Sequence, residues 1–308
     1  MLREPIRGVI VPLLTPFEDD GSIAVELFLA HAKWLFAEGC AAIAPFGTTG
    51  EALSIGIDER IAALRSLVDG GIDPQRMIPG TGLSNVADTA RLSRACLDIG
   101  CTGVMTLPPF YYKNVTEEGL FRYFAELLAA TGEDTRVYLY HIPQVAGVGI
   151  PSTLAARLHA KYPGNFVGIK DSSGDWDNTR ALFDIDGLIV YPGSELPLLD
   201  ALELGGPGCI SATANVNLRA IAAVAALHAR GEVAAARQKH EEVKRFRRAV
   251  EPYGPIPAQK RLLATATGDR RWANVRPPLV ALSEADGHEL ADGLRRELGE
   301  AAPFGNMG

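Results

Sequence analysis

Lys170 closes the apolar run Phe166-Val167-Gly168-Ile169, the only lysine of the chain in such a place. An ammonium there is costly to desolvate, so the position favours the uncharged amine. That amine is the nucleophile needed for Schiff-base chemistry with a carbonyl compound. The structural use of the same residue is an ion pair with Asp171 or Glu195, and position alone leaves both open. Gly47-Thr48-Thr49-Gly50-Glu51 follows another apolar run. Two glycines bracketing hydroxyl residues suit a tight turn that aims N–H and O–H groups at an anion such as a carboxylate. No lysine follows in P-loop spacing, so a nucleotide phosphate is not the expected guest. Tyr140 ends a further run, and Tyr111-Tyr112 come after Pro108-Pro109-Phe110. A phenol both donates and accepts, so phenols with a threonine can pass protons in a closed pocket, although single tyrosines more often only pack.

These residues share one kind of address, the ends of short apolar runs. Eight such runs are read as strands: Val9–Leu14, Ala41–Phe46, Met77–Gly80, Gly103–Leu107, Val137–Tyr140, Phe166–Lys170, Leu188–Tyr191 and Gly208–Ser211. Most lack polar alternation, which suits parallel strands covered on both faces. Amphipathic stretches between them carry helix-start signals at Ser22, Asp58, Thr116, Ser152 and Asp175. The alternation predicts an α/β fold, a (β/α)8 TIM barrel over residues 1–230, with its reactive groups at the strand C-termini. A doubly wound open sheet is the rival, but no dinucleotide fingerprint is present. From Leu218 the pattern is helical only, over 218–230, 233–250, 257–266 and 283–298. Residues 231–308 are thus expected to form a C-terminal helical region packed on the barrel.

Of the 308 residues, 47% are hydrophobic and 22% charged, enough apolar mass for a large core and too little polarity for a disordered chain. A formal charge of −7 lacks the basic footprint of a nucleic-acid partner. No run approaches the roughly 20 apolar residues of a membrane span, and no leader-like pattern is seen, so a cytoplasmic enzyme is expected. Cys40, Cys96, Cys101 and Cys209 form no C-x-x-C pair and read as buried thiols. The histidines show no metal-ligand spacing, and His141 beside Tyr140 is read as a structural or site-edge residue.

Taken together, GTTGE (47–51), PPFYYKNVTEEGL (108–120), YHIPQVAGV (140–148), VGIKDSSGD (167–175), YPGSE (191–195) and GCISATANV (208–216) resemble the dihydrodipicolinate synthase / N-acetylneuraminate lyase family of pyruvate-dependent class I aldolases. The segments stand in family order, one per strand end. The resemblance implies that Lys170 forms an imine with pyruvate, that Thr48 and Thr49 hold its carboxylate, and that Tyr140 with Thr48 moves protons. It implies that Tyr112 crosses into a neighbouring subunit's site with Tyr111 at the interface, in a homotetramer built as a dimer of dimers. Gly193 and Ile210 would line the pocket. No metal, nucleotide or organic cofactor is implied. The partner compound would be an aldehyde, or a 2-keto acid in the cleavage direction.

Several positions depart from the synthase pattern. Val145 stands where the synthases place the arginine that binds the aldehyde's carboxylate, which points to a neutral or hydroxylated partner. The serine that the sialic acid lyases use for the sugar chain falls at Ala212, and their acidic partner is kept only as Glu195. Ala52, Leu53, Ile57 and Ser84 occupy the lysine-feedback positions, so no lysine inhibition is expected. The alternatives are 4-hydroxy-tetrahydrodipicolinate synthase proper, and a catalytically silent barrel with a binding or regulatory role.

Overall fold

The structure is a computed structural model and describes residues 4–299. Its strands are β1 (Gly8–Val11), β2 (Ala42–Ile43), β3 (Val104–Thr106), β4 (Val137–His141), β5 (Phe166–Asp171), β6 (Ile189–Pro192) and β7 (Gly208–Ile210). All paired neighbours run parallel, in the orders β2-β1-β7 and β3-β4-β5-β6. The third apolar run joins the two sets. Ile78 N–H reaches Ile43 O at 3.0 Å, and Met105 N–H reaches Pro79 O at 2.8 Å. With β6 lying against β7, the eight staves close into the expected barrel.

Helices α1 (Val25–Ala37), α2 (Ile57–Asp69), α3 (Val86–Ile99) and α4 (Glu117–Thr131) cover the first half of the barrel. The one-turn α5 (Pro143–Ala146) precedes α6 (Ser152–Lys161), α7 (Trp176–Phe183), α8 (Leu198–Glu203) and α9 (Ala214–Ala229). Thr116 and Asp175 cap their helices as expected, through Gly119 N–H at 3.1 Å and Asp177 N–H at 3.0 Å. Ser22, Asp58 and Ser152 do not. α1 starts after Ala24, and Asp58 and Ser152 already lie inside the first turns of α2 and α6. The four cysteines are free and buried.

Side chains of the strands sort into two layers. Val9, Val11, Ile43, Val137, Leu139, Phe166 and Ile169 pack outward against the helices. Ile10, Ala42, Ile78, Met105, Tyr138, Tyr140, Val167, Tyr191 and Ile210 fill the barrel interior. β5 breaks the simple alternation. Its register against β4 runs Val137 to Phe166 and then Tyr138 to Gly168, so Val167 is an extra residue. Side chains alternate with period two, so without the extra residue Lys170 would share the outward face of Phe166. The bulge turns it inward, opposite Tyr140.

Three further helices, α10 (Val233–Val250), α11 (Pro255–Thr267) and α12 (Glu284–Leu298), follow the barrel. Phe246, Val250, Leu262, Leu263, Trp272, Leu290 and Leu294 make their shared core with Leu14 and Val216, so the helices sit on the C-terminal ends of β1 and β7. Part of the region expected to be helical, residues 300–308, lies outside the described residues.

His31 marks this junction. It is buried, lies edge-on to Trp272 with centroids 4.8 Å apart, and pairs through Nε2 with Asn215 Oδ1 at 3.1 Å. Burial pulls its pKa from 6.5 to about 4, with the Asn215 bond resisting. As pH falls the unfolded chain therefore takes up this proton first, so the stability carried by neutral His31 is whole above pH 6.5 and drains away toward pH 4. The loss should reach about 3 kcal/mol, seen as a falling urea midpoint across that window. His31→Gln should flatten the slope; an unchanged slope would assign the effect to other groups.

Candidate active site

The inward bulge and the parallel register put Tyr140 and Lys170 side by side at the C-terminal mouth of the barrel. Lys170 Nζ lies 4.3 Å from the centroid of the Tyr140 ring, and both residues are almost fully buried. They line a cavity of about 650 Å³ with Thr48, Thr49, Val145 and Gly193. Among the described residues, Lys170 Nζ forms no ion pair. The two acids that could have neutralised it are committed elsewhere. Asp171 accepts from Ser173 N–H, Asn178 Nδ2 and Thr179 Oγ1, each at 2.8 Å. Glu195 accepts from the hydroxyls of Ser211 and Thr213 and from Arg247 Nη1 at 3.2 Å. The amine is left to the cavity.

The 47–51 turn forms the facing wall. Thr48 Oγ1 is 3.2 Å from Tyr140 Oη, so a proton can pass between the hydroxyls. The turn is bracketed by left-handed backbone at Phe46 (φ 58°) and Glu51 (φ 56°), conformations that persist only where surroundings enforce them. The enforcement is visible. A Cβ on Gly50 would stand 2.7 Å from Leu13 O. Thr15 Oγ1 donates to Gly50 O at 2.9 Å. Glu51 is fully buried, paired with Lys260 Nζ and accepting from Arg276 N–H at 2.9 Å. Lys260 also donates to Asn274 O at 2.7 Å. Burial pulls the Lys260 pKa down, and the Glu51 carboxylate resists.

The remaining sites expected from the sequence fall in different places. Gly193 lines the cavity where a Cβ would meet Ser172 Oγ at 1.8 Å, so only glycine fits. Val145 lies at the mouth and is 61% exposed. Ile210 is buried in the interior layer with Tyr140, without lining the cavity. Glu195 does not line it either; the carboxylate stands behind Arg247, which does. Tyr112 is exposed on the surface with its ring edge-on to Tyr111, centroids 5.4 Å apart. His141 is structural: its Nδ1 accepts Ile150 N–H at 2.8 Å, and burial lowers its pKa. Among the described residues no cluster of His, Cys, Asp or Glu could hold a metal, and no helix is long and apolar enough to cross a membrane.

Two functional features escaped the sequence. Lys260 is a second fully buried lysine, hidden in a helix whose pattern looks merely amphipathic. The other is Arg247. It reaches the cavity from α10, bonds Glu251 Oε1 at 2.9 Å besides Glu195, and has its pKa raised by those acids against the opposing effect of burial. In sequence, Lys244-Arg245-Phe246-Arg247-Arg248 follows Glu241 and Glu242 and reads as a solvated helix face.

The sequence profile of the Dihydrodipicolinate synthetase family matches residues 5–297. The chain belongs to that family. It is a pyruvate-dependent lyase or aldolase by membership. A DapA-like lyase of Chloroflexus aurantiacus, itself uncharacterized, is 36% identical over 98% of this chain and 100% of its own. The 4-hydroxy-tetrahydrodipicolinate synthase of Alcanivorax borkumensis is 32% identical over 94% and 97%. In structure, the dihydrodipicolinate synthase of Agrobacterium tumefaciens superposes with a TM-score of 0.87 at 34% identity, covering 95% of this chain and 99% of that one. A 2-keto-3-deoxygluconate aldolase variant of Sulfolobus solfataricus shares the fold, with a TM-score of 0.85 at 24% identity over 95% and 98%.

The Glu51–Lys260 pair should hold this family member's threonine turn in place. Lys260→Met strands a buried carboxylate and should cost about 3–5 kcal/mol in denaturant unfolding. Adding Glu51→Gln removes that charge and should recover most of the loss. A cost below about 1 kcal/mol for Lys260→Met would show that the pair does not staple the turn.

Proposed function

We propose that this protein is a class I lyase that joins pyruvate to an aldehyde, or cleaves a 2-keto-3-deoxy acid to pyruvate and an aldehyde, through an imine on Lys170. One observation carries the reading: a buried lysine amine opens on the cavity while Asp171 and Glu195 are saturated by other donors. The amine adds to the keto carbon and water leaves. The resulting iminium is an electron sink, so a methyl proton departs and an enamine forms. The enamine attacks the aldehyde carbon, and water then releases the product and restores the amine. Thr48 and Thr49 hold the carboxylate of pyruvate, and Tyr140 with Thr48 carries protons to and from the oxygens. Gly193 shapes the wall near the lysine, Ile210 packs behind it in the interior layer, and Val145 leaves the mouth without the synthase arginine.

The same reading makes the protein a cytoplasmic homotetramer built from two dimers, in which the exposed Tyr112 completes the neighbour's relay. The barrel of residues 1–230 carries the chemistry, with residues 231–308 packed on it. The relatives named as synthases favour a second reading, 4-hydroxy-tetrahydrodipicolinate synthase. Val145 argues against it, since the carboxylate of aspartate semialdehyde would lack its arginine.

Borohydride added with pyruvate should leave one reduced pyruvyl group per chain by intact mass, and none on Lys170→Ala. No adduct on the wild type would support the silent barrel instead. Tyr140→Phe should lower kcat by about 10²–10⁴-fold, the usual worth of a positioned proton carrier. Efficient turnover of aspartate semialdehyde would decide for the synthase.

A further inference from the structure

In the imine reading Lys170, Tyr140 and the threonine turn take pyruvate, so the rest of the cavity lining must read the partner compound. The charged groups lining the cavity beyond Lys170 and the saturated Asp171 are Asp200, Arg247 and Glu251. Arg247 is the cation there, and it is bracketed: Nη1 faces Glu195 at 3.2 Å and Nε faces Glu251 at 2.9 Å. One guanidinium between two carboxylates leaves a net negative group, to which Asp200 adds. A second carboxylate or a phosphate on the partner would meet no uncompensated positive charge there. Hydroxyl and carbonyl oxygens are served differently. Arg247 Nη2 has no partner among the described residues, and Glu251, with its side chain 45% exposed, can accept from a hydroxyl.

Resting on the imine reading above, we infer that Arg247 and Glu251 are specificity-determining residues that select an uncharged, hydroxylated partner, with Glu251 turning the Arg247–Glu195 pair into a net negative group that disfavours an anion. The helix α10 supplies Arg247, and Glu251 follows its end, so the C-terminal helices would set the substrate range of a barrel whose chemistry lies elsewhere.

The test compares D-glyceraldehyde with D-glyceraldehyde 3-phosphate as partners for pyruvate, in the wild type and in Glu251→Gln. The wild type should show the higher kcat/KM with the neutral aldehyde. Glu251→Gln should move the ratio toward the phosphorylated one by about two- to fivefold, the worth of one partly exposed charge pair. The shift should fall on the aldehyde KM rather than on kcat. A wild type that prefers the phosphate, or a ratio that Glu251→Gln does not move, would overturn the inference. Borohydride trapping of pyruvate on the wild type separates the two levels: without an adduct both readings fall, whereas an adduct with an unmoved ratio sinks only this one.

Discussion

The arrangement depends on an amine buried without a counterion. A lysine inside a barrel is costly to desolvate unless its charge is matched by a partner. The acids next to Lys170 in sequence and strand order, Asp171 and Glu195, are already occupied. Asp171 ties its own loop to α7, Glu195 is wrapped by Ser211, Thr213 and Arg247, and Glu51 is locked to Lys260. The site therefore works by subtraction. Two lysines are buried among the described residues: one is matched by a carboxylate and serves as a staple, the other is left unmatched and faces the cavity.

Geometry follows from a small backbone irregularity. The extra residue at Val167 lets Phe166 pack outward between helices while Lys170 points inward, four positions later along the same strand. Close parallel register then places Tyr140 beside the amine, and Thr48 completes the chain of hydroxyls from the opposite wall. All are held by strand ends or by a turn fixed from both sides, which is the preorganisation that proton transfer and carbonyl addition require.

Much of this was legible in the sequence, and the limits have physical causes. The apolar runs disclosed all eight staves because strands buried on both faces advertise themselves as continuous hydrophobic stretches. Lys170 was visible for the same reason, as a charge where such a run ends. The bulge was not, since it is defined by register against another strand. The Glu51–Lys260 pair joins residues 209 positions apart, and Arg247 reaches Glu195 across 52. No local pattern encodes such contacts. GCISATANV has a largely architectural role here. Ser211 and Thr213 hold Glu195, and Asn215 ties the end of β1 through Leu14 N–H and Pro12 O to the junction with the C-terminal helices. Helix starts erred by a residue or two at Asp58 and Ser152, where backbone geometry outweighed side-chain capping preference.

Crystals soaked in pyruvate would show directly whether Lys170 bonds to the keto acid. An imine on Lys170 should give unbroken density from Lys170 Nζ to the keto carbon, with the carboxylate against the hydroxyls of Thr48 and Thr49. Pyruvate bound elsewhere, or lying in the cavity with its keto oxygen intact and Lys170 turned to a carboxylate, would contradict it.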